Sequence, residues 1–142
     1  MDSLRVLGSG LLTLGALSCG GDAFDPAALD LEGTWVFTAT IEQGSQTCNV
    51  SESPITFTAM SPDSLVGQGR EGGTIQCSSG ARASAATPFL KNTTVFLVRN
   101  GSAVRLDRHG SLLFAGQIRS DMRMSGTVTT DSLPGSWVAE RQ

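Results

Sequence analysis

Between residues 34 and 41 the sequence TWVFTATI sets Trp35, Phe37, Ala39 and Ile41 against Val36, Thr38 and Thr40. An extended chain points successive side chains to opposite faces, so this stretch has one greasy face and one largely threonine face. The same rhythm returns in residues 55–60, where Ile55, Phe57 and Ala59 share a face, and in shorter runs to the end of the chain. No window of a dozen residues beyond the N-terminal segment shows apolar spacing of three and four, which excludes a helical bundle.

Turn chemistry cuts the pattern into strands. The signals are Ser61-Pro62-Asp63-Ser64, Glu71-Gly72-Gly73, Asn100-Gly101, Asp107-Arg108-His109-Gly110, Arg119-Ser120-Asp121 and Pro134-Gly135. Asn-Gly is the strongest of them, because both residues tolerate the positive φ of a tight hairpin. Strands are predicted over residues 34–41, 55–60, 65–70, 74–77, 93–99, 102–106, 112–118, 122–129 and 136–140. Residues 42–53 (EQGSQTCNVSES) read as a polar loop, and residues 78–91, rich in Ala and Ser, as a long loop or a single helical turn. The expected fold is all-β: an antiparallel up-and-down meander of eight or nine short strands. Closure into a barrel is favoured because it removes exposed edges, with a β-sandwich as the alternative.

The N-terminus follows different rules. Residues 6–17 (VLGSGLLTLGAL) form an apolar run after Arg5, too short for the roughly twenty residues of a membrane span and of the length of a signal peptide. The run ends Ala16-Leu17-Ser18-Cys19, which resembles the lipobox of bacterial lipoproteins. The resemblance implies a signal helix over 1–18 that is removed and a diacylglycerol joined to Cys19. It further implies that residues 19–30 carry the lipidated cysteine, a tether and a short turn, and that residues 31–142 form the barrel. An ordinary secretory signal cut after Ser18 is the alternative, since Ala16 and Ser18 are both small. The tether, residues 20–23, reaches at most about 3.5 Å per residue, which would hold the domain near the bilayer. Asp25-Pro26-Ala27-Ala28-Leu29 reads as one helical turn with Asp25 as its cap.

Three cysteines in an exported chain raise the question of parity. If Cys19 carries lipid, Cys48 and Cys77 remain as an even pair and are expected to form a disulfide. No second cysteine or histidine pair accompanies them to suggest zinc, and the C-x-x-C spacing of redox enzymes is absent.

Gly33-Thr34-Trp35 at the head of the first strand resembles the G-x-W motif of the lipocalins and their avidin-like relatives. The resemblance implies an eight-stranded barrel whose narrow end is closed by Trp35, with Arg141 packed across the indole as a cation over an aromatic face. Read as a binding module, the barrel would hold a ligand inside, lined by Phe37, Phe57, Leu97 and Val104 with its mouth at the end opposite Trp35, and small inward residues such as Ala39, Ala59, Gly67 and Gly126 allow a modest pocket without demanding one. The chain has no tyrosine, so the biotin chemistry of the avidin-like branch is not implied.

Catalytic groupings are missing from the sequence. His109 is the only histidine and sits in a turn signal; no nucleophile elbow accompanies it. Asp30 and Glu32 stand close together where turn or cap roles suit them better than general acid catalysis. The net charge of −3 is spread over the chain with a single lysine, and it offers no basic face for nucleic acid. The expectation is therefore a non-enzyme without metal or cofactor. It would be exported and lipid-anchored to the cell envelope, at the outer membrane because Gly20 and Gly21, not an aspartate, follow Cys19. Its barrel would hold a small apolar or amphipathic ligand, the alternative being a structural or interaction lipoprotein with a filled core.

Overall fold

The computed structural model describes residue 21, residues 23–128 and residues 133–142, with Leu112 described by its backbone only. The expected signal helix and Cys19 lie outside the described residues. Strand β1 (Gly33–Gln43) turns into the long β2 (Gln46–Ser61), followed by β3 (Ser64–Gly69), β4 (Thr74–Ser79) and two short pieces, β5 (Arg82–Ala83) and β6 (Thr87–Pro88). The second meander comprises β7 (Thr94–Asn100), β8 (Ala103–Arg108), β9 (Ser111–Ser120), β10 (Arg123–Val128) and β11 (Gly135–Arg141). The hydrogen-bonded order runs β1-β11-β10-β9-β8-β7-β3-β2 and returns to β1, every pairing antiparallel. Eight strands therefore close a barrel, and the β-sandwich alternative is set aside. The first and last strands meet in register, Trp35 opposite Arg141 and Ile41 opposite Gly135.

Residues 46–53 are not the loop that their polarity suggests; they form the first half of β2. The reason is a β-bulge. Phe37 pairs with Ser53 and Ala39 with Val50, so Thr38 faces two residues, and Glu52 takes a φ of 38°. One extra residue shifts the side-chain parity by one. Cys48 and Val50 point inward before the bulge, and Ser53, Ile55 and Phe57 point inward after it.

The bulge also divides the outer edge of β2. Its second half pairs with β3, while its first half pairs with β4, Cys48 directly opposite Cys77. β4 was expected beside β3 but lies beside β2, because β3 is already paired with β7. β4, β5 and β6 form a flap outside the eight-stranded ring, and the expected loop at residues 78–91 contributes the two short strands of that flap.

The interior is aromatic. Phe37 stacks on Phe114 with ring centroids 5.4 Å apart and on Trp137 at 5.5 Å, and Phe57 meets Phe37 edge-on at 6.4 Å. Offset and edge-to-face pairs of this kind contribute about 0.5–1.5 kcal/mol each beyond area burial.

At the end where β1 begins, two arginines hold the N-terminal arm against the barrel. Arg99 is 8% exposed and donates to the backbone carbonyls of Leu29, Pro62 and, at 3.4 Å, Pro26; Asp63 lies 3.5 Å from its Nε. Arg141 donates to the carbonyls of Asp30, at 2.7 Å, and Glu32. The arm itself contains one turn, in which the Ala28 amide donates to the Asp25 carbonyl and the Ala27 amide to the Asp25 carboxylate.

Candidate functional site

Trp35 is fully buried at this narrow end, its indole N–H donating to the Leu31 carbonyl at 3.0 Å. The Arg141 guanidinium carbon lies 5.3 Å from the ring centroid. Asp30 and Glu32 direct their carboxylates to backbone amides, Asp30 to Glu32 and Glu32 to Ala59. The chemistry of this end is therefore capping and closure.

The middle of the barrel leaves no room for a ligand. Phe37, Phe57, Leu97 and Val104, expected to line a ligand space, are between 0% and 2% exposed and pack against one another and their neighbours in one continuous core. The small inward residues do not leave space, because large rings occupy it. A Cβ on Gly67 would stand 2.5 Å from Cε1 of Phe57, and the Trp137 indole donates across Gly126 to the Ala115 carbonyl at 3.0 Å. Trp137 and Gly126 are register partners. Ala59, placed inward by the alternation, is exposed at the barrel end, where β2 still pairs with β3 but its pairing with β1 has stopped at Phe57.

The opposite end is open and holds a cavity of about 270 Å³. Its walls come from strand ends that are far apart in sequence. Ile41 ends β1, Cys48 begins β2, Ile75 and Cys77 belong to the flap, and Leu113 and Phe114 begin β9. Phe89, Leu90 and Leu133 complete the apolar lining, and Gln43 and Arg108 are its polar members. Among the described residues Arg108 is the one charged side chain in that lining.

Two local devices build this mouth. Leu106 pairs with Phe114 and Asp107 with Leu112, so Leu113 is the extra residue of a bulge in β9, and both Leu113 and Phe114 become buried although they are consecutive. Leu90 is the second device. It adopts a φ of 56°, a left-handed conformation that a leucine takes only when its surroundings impose it. The Phe89 amide bonds the Gly73 carbonyl and the Asn92 amide the Gly69 carbonyl, at 2.9 and 3.1 Å. The approach at Gly69 is so close that a Cβ there would overlap the Leu90 carbonyl oxygen at 1.8 Å. A 2.8 Å ion pair between Lys91 and Glu71 ties down the same segment and holds the Glu71 carboxyl below its ordinary range, mainly through the hydrogen bond and charge of Lys91.

The cysteine pair forms the expected disulfide, Cys48 to Cys77, and stitches the flap to β2 at the cavity wall. Sequence reasoning missed the other lining residues. The apolar pair Phe89-Leu90 in an otherwise Ala- and Ser-rich stretch was the available signal. His109 is exposed in the β8–β9 turn. Among the described residues no group of three or more His, Cys, Asp or Glu side chains gathers to hold a metal, and no helix is long and apolar enough to cross a membrane.

No protein-family model matches the chain, and no curated protein sequence matches it. Among solved structures, one described as "Structure of EF1p2_mFAP2b bound to DFHBI" aligns with 79% of this chain and 94% of its own, at 16% sequence identity and a TM-score of 0.45. A likeness of that degree does not bear on function.

Proposed function

We propose that this chain is a non-catalytic binding lipoprotein of the cell envelope, anchored through lipid on Cys19 and located at the outer membrane. Its barrel receives the apolar end of a small amphiphile at the mouth, not in the centre. The observation that carries the ligand reading is the 270 Å³ cavity with its largely aliphatic and aromatic wall. That volume lies just below the roughly 300–1,000 Å³ of ordinary small-molecule sites, so it suits a small aromatic group or the end of an alkyl chain. Each methylene withdrawn from water there contributes about 0.8 kcal/mol. The anchoring reading is supported by the apolar run and Ala16-Leu17-Ser18-Cys19.

Two measurements test the proposal. Intact mass of the mature protein is expected to show a diacylated cysteine at position 19; an unmodified Cys19 rejects the anchor. Titration with the neutral fluorophore N-phenyl-1-naphthylamine is expected to saturate, and Leu133→Trp, at a half-buried position of the mouth, is expected to weaken it without moving the unfolding midpoint. Absence of saturable binding rejects the ligand reading.

The aromatic stack of Phe37, Phe114 and Trp137 favours a second reading, a structural or interaction lipoprotein whose barrel is a filled spacer. The same titration separates the two readings.

A further inference from the structure

The mouth has a charge polarity that its apolar walls do not require. Among the described residues Arg108 is its single charged lining side chain, and no carboxylate of theirs belongs to the lining. Four other cations are held by carboxylates, Lys91 by Glu71, Arg105 by Asp107, Arg123 by Glu140 and Arg99 by Asp63, while Arg70, Arg82 and Arg119 make no ion pair among the described residues and lie outside this lining. Among the described residues none pairs with Arg108.

The position of Arg108 is set by a rigid piece of backbone. It pairs across the hairpin with Ser111, and the two turn residues between them, His109 and Gly110, have φ values of 47° and 80°. Two consecutive positive φ angles are the signature of the tight turn whose twist matches a strand pair, so the hairpin arrives already formed. The guanidinium is thus presented at the rim by a strand end, not by a wandering loop. A guanidinium offers several N–H donors in a planar fork that matches carboxylate and phosphate oxygens, and the Gln43 amide on the same rim adds neutral donors.

We infer that the mouth selects single-chain amphiphiles with an anionic head, the alkyl end entering between Leu113, Phe114 and Leu133 while the head engages Arg108 at the rim. This rests on the mouth being the ligand site, and it adds the class of ligand. The head remains at the water boundary, so the selection is electrostatic and falls as salt screens it.

The test displaces N-phenyl-1-naphthylamine from the mature protein at pH 8 and low ionic strength, using decanoate and 1-decanol, which share a chain length and differ in the head. Decanoate is expected to displace the probe at about fivefold lower concentration, the scale of an exposed, well-oriented ion pair. Arg108→Gln is expected to abolish that preference and leave decanol unchanged. Arg105→Gln, which removes a cation already paired on the outer face, is expected to keep it. Equal displacement by the two compounds, or a preference that survives Arg108→Gln, overturns the inference while decanol displacement still supports the mouth as an apolar site. Failure of the probe to bind saturably removes the site and the inference together.

Discussion

Arg141 and Trp35 are register partners across the seam between the first and last strands, and the guanidinium covers the indole at 5.3 Å. The same guanidinium donates to the Asp30 and Glu32 carbonyls, so one side chain joins both ends of the described domain and caps its narrow end. A part-exposed guanidinium over the face of a buried indole contributes about 0.5–2 kcal/mol, and hydrogen bonds from a charged donor add to it. Arg141→Ala is expected to lower stability by about 1–2 kcal/mol in urea denaturation, with Arg141→Lys recovering only part because it lacks the planar fork. An unchanged midpoint in Arg141→Ala would show that the seam holds without it.

The disulfide closes a separation of 29 residues. Loop-closure entropy for a loop of that length corresponds to about 3–4 kcal/mol. The double variant Cys48→Ala, Cys77→Ala is therefore expected to lose about 3 kcal/mol, and hydrogen exchange is expected to quicken first in β4, which pairs with the ring only along the first half of β2. Uniform loss of protection across the ring would contradict the view of β4 as a separate flap.

Gly116 and Gly126 face each other between β9 and β10. A Cβ on Gly126 would fall 2.0 Å from the Ala115 carbonyl oxygen, the group that accepts the Trp137 indole. Backbone cannot give way as a flexible side chain can, so Gly126→Ala is expected to cost about 3 kcal/mol or more. Near-ultraviolet circular dichroism checks it through the Trp137 signal, and a native spectrum with a native midpoint would refute the close approach.

Lys91 lowers the Glu71 carboxyl below its ordinary range. For a carboxyl depressed in the folded state, the stabilising contribution is present above its unfolded value and is lost as pH falls through the folded one. Lys91→Met is expected to return Glu71 to the ordinary carboxylate range in an NMR titration and to leave acid stability nearly unchanged, because the pair is exposed and screened. No movement of the Glu71 titration would remove the ion pair as an anchor for the Leu90 segment.

Much of the ring was legible before any coordinates. Residues 34–41, the Asn100-Gly101 hairpin and the strands that follow obey a two-residue rhythm or a turn rule read within a few neighbours. The seam of Trp35 and Arg141 was legible as well, through Gly33-Thr34-Trp35. The site was not. Residues 46–53 were misread as a loop, and the inward turn of both Leu113 and Phe114 went unread, because a bulge inverts the parity on which the rhythm depends, and a local pattern carries no notice of the inversion until a partner strand fixes the register.

The sequence by itself determined an all-β chain and most of its turns, because strand alternation and turn conformation are properties of short stretches; cysteine parity pointed to Cys48 with Cys77 only once Cys19 was set aside, and the structure decided that pairing. Only the tertiary structure decided that the core is filled and the mouth is not. That outcome depends on which rings fall opposite which glycines, Phe57 at Gly67 and Trp137 at Gly126, and on strand ends distant in sequence meeting at one rim. Both are consequences of closure, and closure fixes contacts that no single stretch of chain contains.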